Sequence, residues 1–203
     1  MTLIDLIPRY NSLTEDSKQY EVPEHHLRAL AQIFATYQVQ DVFCLHVLRT
    51  HSVLDEGTVM LSSKVGNSGT TIWTKPTPIH MIAPDRIHGY IFALSPDNRL
   101  IPTEYREGAT EPIAADMAFF EDLIKFLESN SLGDRLGLQV LESKQKMLDF
   151  IFEEGIITVK SGYAKPGGIY KTTGWRITQD GGIVVNSGQS LAKKTCLRLF
   201  EWA

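Results

Sequence analysis

Two turn signals constrain this chain more than anything else in it. Ser95-Pro-Asp-Asn98 lies between the strand-like runs Gly89–Leu94 and Arg99–Tyr105. Gln179-Asp-Gly-Gly182 lies between Ile169–Thr178 and Ile183–Asn186. Proline presets the second position of a turn, Asp and Asn accept local hydrogen bonds, and glycine takes left-handed backbone readily. Each signal therefore predicts a hairpin, and hairpins make antiparallel pairs.

More strand-like segments surround them. Val42–Leu48 is nearly continuous apolar sequence, as expected of a strand covered on both faces. Thr58–Ser62, Thr70–Thr74, Leu136–Leu141, Ile156–Lys160 and Cys196–Trp202 read as strands too. Pro102 inside its run suggests an edge strand or a bulge. Two segments read as amphipathic helices. One opens at Pro23 and carries Leu27, Leu30, Ala31, Phe34 and Tyr37. The other spans Pro112–Leu127 and carries Ile113, Met117, Phe120, Leu123, Ile124 and Leu127. Strands outnumber helices, and β-α-β alternation is missing. The expected fold is α+β: a mostly antiparallel, curved sheet with two main helices packed on it. Residues 1–203 are expected to form a single globular domain, with 1–20 as a lead-in segment.

The composition suits that fold. Of 203 residues, 43% are apolar and 22% charged, enough for a packed core and ordinary for a soluble protein. No apolar run approaches the roughly 20 residues a membrane span needs. The first residues, Met1-Thr-Leu-Ile-Asp, do not read as a secretory signal, and Cys44 and Cys196 lie far apart. A cytoplasmic protein with reduced thiols is expected. Net charge is −4, which argues against non-specific binding to nucleic acid. The chain after Ile156 is nonetheless basic: Lys160, Lys165, Lys171, Arg176, Lys193, Lys194 and Arg198 face only Asp180 and Glu201. That region interleaves with Tyr163, Tyr170 and Trp175, a pattern open to an anionic ligand or partner.

The chemistry concentrates in Val42–His51 and the turn that follows. Strand alternation puts Cys44 and His46 on one face, and Arg49 and His51 on the other. His51 stands where the apolar run ends, beside Arg49 and ahead of Glu56. A carboxylate near an imidazole orients it and raises its basicity. The expected catalytic set is His51 with Glu56, joined by His88 from the entry of another strand. Arg49 is expected to hold substrate. Trp73, Phe92, Tyr105 and Trp175 are expected to line an apolar pocket.

Arg49-Thr-His51, four residues, then Glu56 resembles the first half of the cupin metal motif. Arg49 stands where that motif needs its first histidine, and a guanidinium does not ligate metal. The second half of the motif is missing, so neither metal nor cofactor is expected. Glycine-rich phosphate loops, dinucleotide fingerprints and serine-nucleophile elbows are also absent.

Together these features lead to an expected small cofactor-independent enzyme. It would use histidine acid–base chemistry of the lyase, isomerase, cyclase or hydrolase type on a small organic molecule. The alternative is a non-catalytic ligand-binding or assembly module using the pocket or the basic C-terminal hairpin. A homo-oligomer fits either reading.

Overall fold

The computed structural model describes residues 7–15, 21–66, 71–108, 115–160 and 170–190. A short helix α1 (Ile7–Asn11) and helix α2 (Glu24–Thr36) lead into β1 (Phe43–Val47). Four strands follow: β2 (Thr58–Val65), β3 (Thr71–Pro78), β4 (Ile87–Leu94) and β5 (Leu100–Glu107). Helix α3 (Met117–Ser129) then precedes β6 (Leu136–Val140), β7 (Met147–Phe152), β8 (Gly155–Lys160), β9 (Tyr170–Ile177) and β10 (Ile183–Ser190). The strand expected at Cys196–Trp202 and the glycine loop 162–168 lie outside the described residues, as does the start of the second helix at Pro112.

The chain is α+β, as the element pattern implies, but its sheet is not an open curved one. The strands close into a barrel in the order β1-β6-β4-β5-β2-β3-β8-β7-β10-β9, with β9 pairing back onto β1. Both expected hairpins are present, β4–β5 and β9–β10. Asn98 (φ 56°) and Gly181 (φ 78°) supply the left-handed turn residues. Local hairpins alone would give the expected antiparallel sheet. Closure comes from long-range pairings between these units: parallel for β2 with β5 and β7 with β10, antiparallel for β1 with β6, β4 with β6, β3 with β8 and β9 with β1. Closure removes the exposed edges an open sheet would have to protect. Pro102 is accommodated because β5 pairs with β2 only from Glu104 onward, so its missing N–H interrupts no ladder there.

The helices cover one outer side of the barrel. Leu27, Leu30, Ala31 and Phe34 of α2 meet Phe119, Leu123 and Leu127 of α3 over Phe43, Leu45 and Val47 of β1. Phe119 packs edge-on to Phe34 and stacks with Phe43 at 5.7 Å between centroids. Helix α3 starts at Met117, where the Asp116 carboxylate accepts from the Ala118 amide at 3.0 Å and caps the first turn. Among the described residues, no helix is long and apolar enough to cross a membrane.

Strand alternation gives the barrel two unlike faces. On β1 the apolar side chains point out under the helices, and Cys44 and His46 point in. One end of the lumen is plugged by apolar groups: Tyr10, Leu13, Leu48, Leu54, Met60, Ile91, Ala93 and Ile156. Asn11 fixes this plug through two hydrogen bonds to the Leu54 backbone, at 2.9 and 2.8 Å. The other end carries Lys64, Lys160, Glu142 and Ser143 and forms a mouth.

Candidate functional site: the barrel lumen

Between plug and mouth lies a cavity of about 270 Å³. Its wall mixes apolar side chains (Ile72, Ile91, Ile156, Met147) with ionisable ones: His46, Arg49, His51, Glu104, Arg106 and Asp149. That volume lies just below the roughly 300–1,000 Å³ of pockets that hold drug-sized molecules, so it suits a smaller one.

His46 and His51 share this cavity. Strand alternation separates them only if the strand runs through residue 51. It ends at Val47 instead. From there Leu48 N donates to Arg135 O at 2.9 Å, and Thr50 bridges to Glu15. The chain turns across the barrel end, and Arg49 and His51 reach the lumen from below.

Arg49 organises the inner cavity. Its guanidinium donates to Asp149 Oδ2 at 3.0 Å, Gln189 Oε1 at 2.6 Å and His51 Nε2 at 3.2 Å. Thr158 Oγ1 donates to the other Asp149 oxygen at 2.9 Å. A guanidinium only donates, so His51 Nε2 is an acceptor and its proton sits on Nδ1. That Nδ1 is buried with no hydrogen-bond partner among the described residues, although His51 as a whole is only half-buried. Burial first, then the charge of Arg49, holds the His51 pKa well below the usual imidazole range. His51 is therefore a neutral hydrogen-bond donor rather than a ready base.

His46 belongs to a second network. Its Nδ1 meets Gln139 Oε1 at 3.1 Å, Cys44 Sγ donates to the same oxygen at 3.4 Å, and Gln139 Nε2 donates to the Tyr90 hydroxyl. Its register neighbours on both sides are glycines, Gly137 on β6 and Gly174 on β9. A Cβ at Gly137 would collide with the Phe92 carbonyl, and one at Gly174 with Ser187 Oγ. At Gly174 the added carbon would also come within 3.6 Å of His46 Nδ1. Burial, with Arg49 adding to it, pushes the His46 pKa down to about 3. Burial likewise raises the Cys44 thiol to about 12, so it stays a protonated thiol.

Glu104 is the group out of line. It is 8% exposed, lines the cavity and makes no hydrogen bond among the described residues. Burial raises its pKa from 4.5 to about 7. Arg49 opposes that rise, Asp149 adds to it, and Arg106 opposes it again. A carboxyl group poised near neutrality in a cavity is how acid–base catalysts are commonly tuned.

The remaining expected site residues divide by strand face. Glu104 and Arg106 face the lumen, so Tyr105 between them faces out, in an apolar cluster with Val59, Leu61, Ile87 and Ile101. Phe92 and Trp175 pack against the helix-covered core. Trp73 stacks on Phe152 outside β7 and β8. The apolar lining expected from these four aromatics is thus supplied by isoleucines and methionine instead. Glu56 is exposed in the turn before β2 and is not part of the cavity wall. The partner that positions His51 is Arg49. His88 stands near the rim, its Nε2 4.0 Å from Glu142 Oε1, and does not meet His51.

Gln139, Asp149 and Arg106 join the site without having been expected there; Glu104, which in sequence could serve as a second acid but reads more readily as an exposed strand end, joins it too. The signal for Asp149 was available: a lone carboxylate inside Met147-Leu-Asp-Phe-Ile-Phe152. Glu104 needed the face of β5 to be known. Tyr90 enters the lumen through a bulge between Gly89 and Ile91, which turns two successive side chains inward. Among the described residues, no group of three or more His, Cys, Asp or Glu side chains converges as a metal site.

The fold and site define a closed ten-stranded barrel with a charged, partly apolar lumen. Compared with known proteins, the chain matches no family model, no curated protein and no solved structure.

Proposed function

We propose that the lumen binds a small organic molecule and moves a proton on it, with Glu104 as the acid–base group. The supporting observation is one cavity holding two unpartnered groups of complementary kind. Burial pushes the Glu104 carboxyl up to about 7, and His51 has a buried Nδ1–H that nothing in the described protein accepts. In the simplest chemistry a substrate carbonyl oxygen accepts from His51 Nδ1–H. Glu104 takes the proton from the adjacent carbon. Negative charge that develops on the oxygen is stabilised by that N–H, and Arg49 holds the ring through its Nε2. Glu104 then returns the proton to the same carbon or to another one, an isomerase outcome; where the β-carbon carries a hydroxyl, its C–O bond breaks instead and the proton leaves with that oxygen as water, a lyase outcome. This keeps the histidine of the sequence reading but changes its role from base to donor.

The test is deuterium exchange. A series of small ketones and oxo acids is incubated with the protein in D2O, and loss of the proton beside the carbonyl is followed by 1H NMR. Exchange above background with the wild type, reduced about 10²–10⁴-fold in Glu104→Gln, supports the reading. No exchange with any member, or equal exchange by the variant, sinks it.

A further inference from the structure

The mouth of the lumen adds an element the proton transfer does not use. Arg106 is buried at 5% exposure, and its guanidinium lies over the Tyr90 ring, 3.5 Å from the centroid. Its Nη1 donates to Glu142, while its Nε has no partner among the described residues. Glu142 does not come from a barrel strand. It comes from the segment 141–146 that crosses from β6 to β7 beside the mouth, and a third of its side chain (33%) is exposed. That segment is tied down at separate points: Leu141 N donates to Val42 O at 2.8 Å, and Lys144 pairs with Asp41 at 2.6 Å. It can therefore release the Glu142 side chain without letting go of the barrel.

A guanidinium is built to grip a carboxylate through two parallel N–H donors. Arg106 here shows one nitrogen on Glu142 and another buried with no acceptor among the described residues. Lys64 and Lys160 stand at the same mouth and draw anions toward it. Glu142 thus sits on Arg106 as a tethered carboxylate, half-solvated and replaceable by one from outside.

We propose that the ligand of the lumen is a small organic carboxylate, and that its carboxylate group replaces Glu142 on Arg106. This rests on reading the lumen as a ligand site and names the chemistry that site takes. The carboxylate anchors at the mouth, and the rest of the molecule extends inward toward His51 and Glu104. Glu142 is a built-in competitor that caps Arg106 when the lumen is empty. The state competent to bind is then only a fraction of the whole, which weakens apparent affinity by that fraction.

Titration calorimetry tests this with acetate, butyrate and benzoate against acetamide, butyramide and benzamide. The proteins are wild type, Glu142→Gln and Arg106→Gln, each checked by circular dichroism. At least one acid should bind the wild type while its amide does not. Glu142→Gln should bind that acid about tenfold more tightly, because the competing charge is gone. Arg106→Gln should lose it. Amides binding as well as acids, an unchanged affinity in Glu142→Gln, or no acid bound by either protein would each overturn the proposal. If Arg106→Gln folds poorly, the affinity of Glu142→Gln decides the matter. Failure here with deuterium exchange intact removes the carboxylate anchor alone. Carboxylate binding without exchange removes the acid–base reading alone.

Discussion

The outward and inward faces of β1 are built from the same five residues and obey different rules. Outward, Phe43, Leu45 and Val47 press against α2 and α3, where the packing is apolar and stability follows area and fit. Inward, Cys44 and His46 join a hydrogen-bonded lumen that also holds Arg49, Asp149 and Glu104. Burying charge is expensive unless it is paired. The outer face therefore holds the barrel together, and the inner face gives up part of that stability by keeping ionisable groups out of water.

That contrast can be broken from either side. The two largest effects, one from each face, are of the same size. Phe119→Ala removes a side chain that touches Phe34, Phe43 and Phe120, and should lower stability by about 3–5 kcal/mol in urea melts at any pH. Carboxylate affinity of the protein that remains folded should not change. On the inner face, Asp149→Asn takes the charged partner from Arg49 and should cost about 3–5 kcal/mol. Replacing both residues, with Arg49→Met and Asp149→Leu, should recover most of that loss, since neither charge is then left alone. If the double variant is as unstable as the single, the lumen network is structural in a way the comparison denies.

Glu104 should behave in the opposite sense to a normal carboxylate. Its pKa is raised in the folded state, from 4.5 to about 7. Between those values the folded protein holds a proton the unfolded chain has lost. Stability then falls as pH rises through that window, and the ionised group is a burden above it. Glu104→Gln should stabilise the protein by up to about 3 kcal/mol near pH 8.5 and by little near pH 4.5. The histidines act the other way. His46 falls from 6.5 to about 3 and His51 well below 6.5, so the unfolded chain binds protons that they refuse. Stability is lost as pH drops below about 6.5, and His46→Gln should flatten that acid limb. The smallest effect is local: Asp116→Ala removes the cap of α3 and should cost about 1 kcal/mol without touching the lumen.

The sequence was most legible where structure is local. Ser95-Pro-Asp-Asn98 and Gln179-Asp-Gly-Gly182 specify their hairpins within a few residues, and the stripe Leu27, Leu30, Ala31 and Phe34 specifies a one-sided helix. Closure was not legible, because the β2–β5 and β7–β10 pairings join segments that no turn connects. The site inherited that limit. Val42–His51 supplies three residues of the cavity wall, His46, Arg49 and His51. Period-two alternation failed one residue past Val47, where the strand stops and the chain crosses the barrel end. Large aromatics were expected in the pocket, yet Trp73, Phe92, Tyr105 and Trp175 fill the outer packing layers. Glu104 and Tyr105 are adjacent in sequence and a barrel wall apart in space, and only the face of β5 tells them apart.

Burial raises the Glu104 pKa to about 7, and the proposed proton transfer depends on it. Carbon-13 NMR of protein labelled at the glutamate carboxyls, titrated from acid to alkaline pH, measures it directly. Glu104→Gln identifies the resonance by its disappearance. One glutamate titrating near 7 and lost in that variant is the predicted result. A Glu104 resonance titrating at its ordinary value of 4.5 would contradict the account, because a carboxylate already ionised at neutrality would not be poised to exchange the proton.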